Sequence, residues 1–109
     1  MTIANDIISF WFTEISPKQH WVKDPEFDAL IRDRFSEVHY AASQCELFAW
    51  RQSAEGRLAE IIVLDQFSRN MFCDRPKAFA QDALALALAQ EAVACGADKA
   101  LSDNQKPFL

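Results

Sequence analysis

An all-helical fold of antiparallel hairpins is what this chain of 109 residues predicts, on three observations. It holds 17 Ala against only Gly56 and Gly96, a balance that favours helix and leaves little material for strand turns. Helix-start chemistry recurs, with Asp24 before Pro25 and Asp74 just before Pro76. Apolar residues return every three or four positions from Phe27 to Ala42. The length suits a single domain over 1–109, large enough for a core without disulfides or metals.

The first helix is short, about Asn5 to Phe12, ending in Phe10-Trp11-Phe12, and a loop with Pro17 follows. Asp24 can cap free N–H groups and Pro25 fits the first helical position, so a second helix runs from Pro25 to about Ser43. On it Phe27, Leu30, Ile31, Phe35, Val38, Ala41 and Ala42 form one stripe, with Glu26, Asp33 and Glu37 opposite and Asp28 and Arg32 as a solvated local pair. A short turn over Glu46 to Trp50 leads to Ser53, which caps a third helix from Ala54 to Asn70.

A fourth helix opens at Asp74 and Pro76 and ends at Gly96, which suits the left-handed position beyond a helix. Ala83 to Ala89 alternates Ala and Leu, a strand pattern, but Ala is depleted in strands and is the best helix former. As a helix this segment is apolar nearly all round and should be covered on most sides. A fifth helix starts at Ser102 or Asp103, and the chain stops on Pro107-Phe108-Leu109, an apolar end. Helix starts near residues 25, 54, 76 and 102 are spaced like the stacked hairpins of tetratricopeptide repeats, although the residue pattern W-x2-L-G-x2-Y is absent. In such a stack an uncovered last unit exposes apolar surface, so a homo-oligomer or a protein partner is expected over the C-terminal open face.

Net charge of −5 and a pI of 4.9 argue against nucleic-acid binding, which needs a Lys/Arg-rich face. The amino terminus is neither a signal peptide nor a membrane span, so no membrane association and a cytoplasmic setting are expected. Cys45, Cys73 and Cys95 form no CxxC and read as small buried hydrophobes in a reducing compartment. No phosphate loop, dinucleotide fingerprint, GxSxG or HExxH occurs, and His20 and His39 lack ligand spacing, so no cofactor and no metal is expected. His39 reads as a structural histidine, and Trp11, Trp21 and Trp50 as core.

The third helix holds the most informative segment, Leu64-Asp65-Gln66-Phe67-Ser68-Arg69-Asn70. On a regular wheel Asp65 and Arg69 project with Leu58, Ile61 and Ile62, while Leu64 and Phe67 take the sector of Arg57 and Glu60. Either the helix passes from one layer into another, or Asp65, Gln66, Arg69 and Asn70 form a buried polar cluster, with Asp65 and Arg69 paired four apart. Arg34 projects from the apolar stripe of the second helix and is expected within reach of Asp65. Arg34, Asp65, Gln66, Arg69 and Asn70 are therefore the candidate site residues. A structural role for them carries the larger weight: Arg69 at a helix end, Asn70 in the terminal left-handed position, Arg34 lifting its head to water.

These residues resemble a bacterial family, domain of unknown function 924. The resemblance runs through Ile8-Ser9-Phe10-Trp11-Phe12, through Trp21-Val22-Lys23-Asp24-Pro25-Glu26-Phe27-Asp28 and Ile31-Arg32-Asp33-Arg34-Phe35, through Glu55-Gly56-Arg57-Leu58 with Leu64 to Asn70, and through Ala78 to Leu84. It implies an all-helical, tetratricopeptide-like fold and no particular reaction. Val22 stands where the family usually has Phe, and Pro107 where a helix continues. Family members run on through a His-Ser-Glu segment, so Leu109 looks like a truncation. Two functions remain open: a protein-binding or scaffolding module, and a small-molecule enzyme or ligand-binding fragment built on Asp65 and Arg69.

Overall fold

A computed structural model describes residues 3–15, 24–72, 75–103, 105 and 108. His20, Trp21, Pro17, Cys73, Asp74, Pro107 and Leu109 lie outside the described residues. Every regular element described is helical: α1 (Ala4–Ser9), α2 (Pro25–Ser43), α3 (Ala54–Ile62), α4 (Ser68–Met71) and α5 (Asp82–Ala94). Wide π-helical turns extend α1 over Phe10–Glu14 and join α3 to α4 over Val63–Phe67, and tighter 3-10 turns occupy Phe48–Gln52, Pro76–Phe79 and Ala97–Ala100.

The start signals work as read. Asp24 Oδ1 accepts from the amides of Glu26 and Phe27 at 3.1 and 3.4 Å with Pro25 in the first helical position, and Ser53 Oγ accepts from Gly56 N at 2.9 Å. Gly56 is required by close approach. A Cβ there would stand 1.9 Å from the Trp50 carbonyl oxygen, where the preceding turn folds onto the first turn of α3. Pro76 opens a 3-10 turn, and the fourth expected helix begins only at Asp82. Gly96 is left-handed as expected, with φ 82°. A 3-10 turn ends at Ala100, and of the expected fifth helix the described residues Ser102, Asp103, Gln105 and Phe108 are not α-helical.

α2 ends in a Schellman pattern, with Cys45 N donating to Ala42 O at 3.0 Å and Glu46 N to Ala41 O at 2.9 Å. That motif sets its closing residue left-handed, and Cys45 has φ 59°. Cys45 and Cys95 are both exposed, which corrects the expectation of buried thiols: each lies beyond the last turn of its helix, where the chain faces solvent. Cys45→Gly is expected to raise stability by about 1 kcal/mol, read as a shift in the urea midpoint, because a Cβ is strained in that conformation. An unchanged midpoint would show that the strain is absent.

Continuous through its wide turn, the α3–α4 helix is the axis of the fold. α1 and α5 pack on α3, and α2 packs on α4 and the turn. Seven consecutive residues, Leu58 to Leu64, are buried, Glu60 among them, so this helix is covered all round. Phe10, Trp11, Phe35 and Phe67 meet at its centre, with Phe67 stacked on Phe35 at 4.9 Å and edge-on to Phe10 at 6.0 Å.

At the C-terminal end the one apolar residue described, Phe108, is covered by the chain itself, buried edge-on against Trp11 at 5.7 Å and Phe12 at 5.6 Å. The uncovered apolar surface lies elsewhere. α5 buries Ala85, Leu88 and Ala92, but on its other side Ala83, Leu86, Ala87, Gln90, Val93 and Ala94 are exposed, Leu86 by 59% and Val93 by 56%. The expectation that this helix is covered on most sides is therefore not met among the described residues, where α3, its wide turn and the Ala97–Ala100 turn pack against it.

Candidate functional site

The wide turn at Val63–Phe67 accommodates one residue more than a regular α-turn, so all that follows is set back by about 100°. This corrects the regular wheel. Leu64, Phe67, Ser68 and Met71 go inward, and Asp65 and Arg69 swing to the rim, their side chains 28% and 44% exposed. Ser68 also repairs the loosened ladder, its hydroxyl donating to the Leu64 carbonyl at 2.6 Å.

At the rim Arg69 donates from Nε and Nη2 to Asp65 Oδ1 at 3.2 and 3.0 Å, and Nη2 reaches Asp82 Oδ1 on α5 at 3.5 Å. Gln66 Nε2 donates to Asp65 Oδ2 at 3.1 Å, and the Arg69 guanidinium lies 4.9 Å above the Phe79 ring. Asp65, Arg69 and Asp82 line one wall of an open cleft of about 330 Å³, faced by Ala85, Leu86 and Phe108. Both of the guanidinium's carboxylate partners are its own chain's, so the network fastens α4 to α5 and leaves Arg69 no net positive charge to offer a substrate.

Of the five candidate residues the structure brings together Asp65, Gln66 and Arg69. Arg34 pairs instead with Glu14, at 3.1 and 3.5 Å, with its guanidinium over the Phe10 and Phe35 rings at 5.1 and 5.0 Å. The Arg34–Asp65 contact expected across the helices is thus replaced by two separate pairs. Asn70 is not a left-handed cap, since α4 continues to Met71; its amide donates to Asp28 Oδ1 at 2.8 Å. Asp28 is buried and Arg32 donates from Nε and Nη2 to the Met71 carbonyl, so these two clamp α4 onto α2 and are no solvated pair. Leu30, read as core, is half-exposed.

Two buried polar pairs join residues that the sequence did not link, one of them through His39, which is structural as expected. Glu60, which shares a sector with Arg57 on the regular wheel, is 0% exposed and holds Arg51 in a fork of two 2.9 Å bonds. His39 is buried, with Nε2 2.7 Å from Ser68 Oγ. The Ser68 proton is committed to Leu64 O, so the His39 ring carries its proton on Nε2 and donates to Ser68. The fully buried Ser68 hydroxyl is a structural link and no accessible nucleophile. Position 39 adjoins the apolar stripe of α2, which is the signal that could have placed it inward; nothing local marks Glu60.

Burial, and then the nearby charge of Lys77, hold His39 below the ordinary imidazole range. The unfolded chain takes up this proton first, so stability present above about pH 6.5 is lost as pH falls through that value toward the folded one. The melting temperature is expected to fall more between pH 7.5 and 5.5 in the native chain than in His39→Gln; equal falls would show that His39 does not couple folding to protons. On the far side of α3, Arg57 bonds Glu91 at 2.9 Å and holds its carboxyl below the usual range.

Among the described residues no helix is long and apolar enough to cross a membrane, and no cluster of His, Cys, Asp and Glu is arranged to hold a metal. The profile of a family described as bacterial protein of unknown function (DUF924) matches residues 7–109. No curated protein matches the chain. Its structure is similar to that of a protein of unknown function from Agrobacterium tumefaciens, at 40% identity and a TM-score of 0.91, over 96% of this chain and 59% of that one.

Proposed function

From the premise that the chain belongs to the DUF924 family of bacterial proteins, a family of unknown function, we propose a role read from its surfaces. It is a self-associating, protein-binding helical module whose contact face is the outer side of α5. The observation that supports this is the exposed stripe of Ala83, Leu86, Ala87, Gln90, Val93 and Ala94, which carries no charge in a chain of net charge −5.

The stripe is also self-complementary. If a second α5 lies antiparallel with the twofold axis at Gln90, residues equally far on either side meet: Leu86 faces Ala94 of the other copy, and Val93 faces Ala87. Each large side chain meets a small one, as an isologous interface of close-packed helices requires. The two Gln90 amides face each other on the axis, where each can donate to the other. Of the acidic residues beside the stripe, Glu91 is paired with Arg57, and Asp82 shares the Arg69 guanidinium with Asp65, which lessens the carboxylate repulsion between two copies. In this reading Asp65 and Arg69 serve by holding α5 at its angle. Stacked hairpins like those of tetratricopeptide repeats are part of the same proposal, as is a reducing cytoplasm, since two exposed free thiols would crosslink copies under oxidation.

Light scattering is expected to give a dimer mass at about 100 µM, a concentration at which a micromolar complex is populated. Gln90→Lys should give a folded monomer, because one substitution on the axis sets two like charges face to face. Monomeric native protein at that concentration, or a Gln90→Lys variant that stays dimeric, would overturn the reading.

A further inference from the structure

Away from the α5 face, a second pocket of about 300 Å³ opens where the outer side of α2 meets the end of α4 and the turn carrying Lys77. Its size is at the lower end of small-molecule sites. Two cations line it. Arg34, Arg51, Arg57 and Arg69 each hold a carboxylate of their own chain. Arg32 and Lys77, which line this pocket, do not: among the described residues no carboxylate pairs with either. Arg32 spends Nε and Nη2 on the Met71 carbonyl, at 3.3 and 3.1 Å, leaving Nη1 uncommitted, and the Lys77 ammonium stands 5.0 Å over the Phe72 ring.

In a chain with 16 acidic residues against 11 basic, Arg32 and Lys77 bring two cations without a carboxylate into one concavity. Beneath them lies His39, whose Nε2–H is donated to Ser68; its other nitrogen, Nδ1, is left as an acceptor with no partner among the described residues. Tyr40 and Phe72 also line it. The pocket therefore offers positive charge, one neutral acceptor and aromatic walls. An anion alone would use only the first of these, and a neutral polyol would leave the cations unanswered.

We propose that this pocket binds a small hydroxylated organic anion, its phosphate or carboxylate against Lys77 and Arg32 Nη1 and a hydroxyl donating to His39 Nδ1. The two sources of the anionic group share this chemistry and are separable by experiment. Glycerol 3-phosphate and glycerate are titrated in parallel into the isotopically labelled full chain, with neutral glycerol and sodium chloride at matched ionic strength as controls, while the His39 ring resonances are followed.

At least one of the two anions is expected to shift the His39 resonances along a saturating curve, identifying the anionic group, and glycerol and salt are not. Lys77→Ala, at an exposed position outside the core, is expected to keep the fold and weaken binding about tenfold, the loss of one charge-assisted hydrogen bond. The proposal is overturned if neither anion saturates, if sodium chloride reproduces the shifts, or if Lys77→Ala binds as tightly as the native chain.

Discussion

Arg51→Ala is expected to cost about 3–5 kcal/mol, the penalty for leaving a buried charge without its partner. Glu60 has no exposed surface, and both its oxygens are occupied by the Arg51 fork, at 2.9 Å each. Without that guanidinium the carboxylate is left desolvated and unpaired. The pair as a whole carries no such value. Replacing both partners, as Arg51→Met with Glu60→Met, should recover most of the stability, since apolar residues of similar volume substitute well for buried ion pairs. Urea unfolding of the two single variants and the double variant measures the coupling directly. A cost below about 1 kcal/mol for Arg51→Ala, the range of exposed pairs, would mean that water reaches Glu60.

A similar loss, about 3–5 kcal/mol, is expected of Phe67→Ala, for a different reason. Phe67 is fully buried at the point where α1, α2 and the wide turn converge, and its ring touches those of Phe10, Trp11 and Phe35. Truncation leaves a cavity whose walls belong to separate elements, and these can close only if the helices move together. Phe67→Leu should cost far less because it keeps most of the volume. Against a total stability of about 5–15 kcal/mol, the alanine variant would populate unfolded chains measurably at 25 °C. Near-ultraviolet circular dichroism follows the ring packing, and an unaltered spectrum with an unaltered midpoint would show that the cluster is not a hub.

How far the sequence foretold this molecule depended on whether the controlling interaction was local. Asp24-Pro25 and Ser53 cap their helices by contacts within three residues, and α2 runs from Pro25 to Ser43 as those signals say. Glu60 was misjudged because its partner lies in the preceding turn and not on the helix face that periodicity describes. Arg34 and Asp65 were assigned to each other on a regular wheel, and the wide turn at Val63–Phe67 broke the phase on which that assignment depended. His39 and Lys77 meet only after α2 and the Pro76–Phe79 turn have folded together, a juxtaposition that no spacing in the chain records.

The turn at Val63–Phe67 bears on how this segment tolerates changes in length. A helix normally resists the gain or loss of one residue, since every later side chain is then misdirected. Here the surplus residue is already housed, and removing one between positions 63 and 67 would restore an unbroken hydrogen-bond ladder while turning Ser68 away from His39, Arg69 from Asp82 and Asn70 from Asp28. The local helix would be better formed and its connections to α2 and α5 lost. Relatives that differ in length at this point should therefore differ in all three connections at once, because one rotation governs them together.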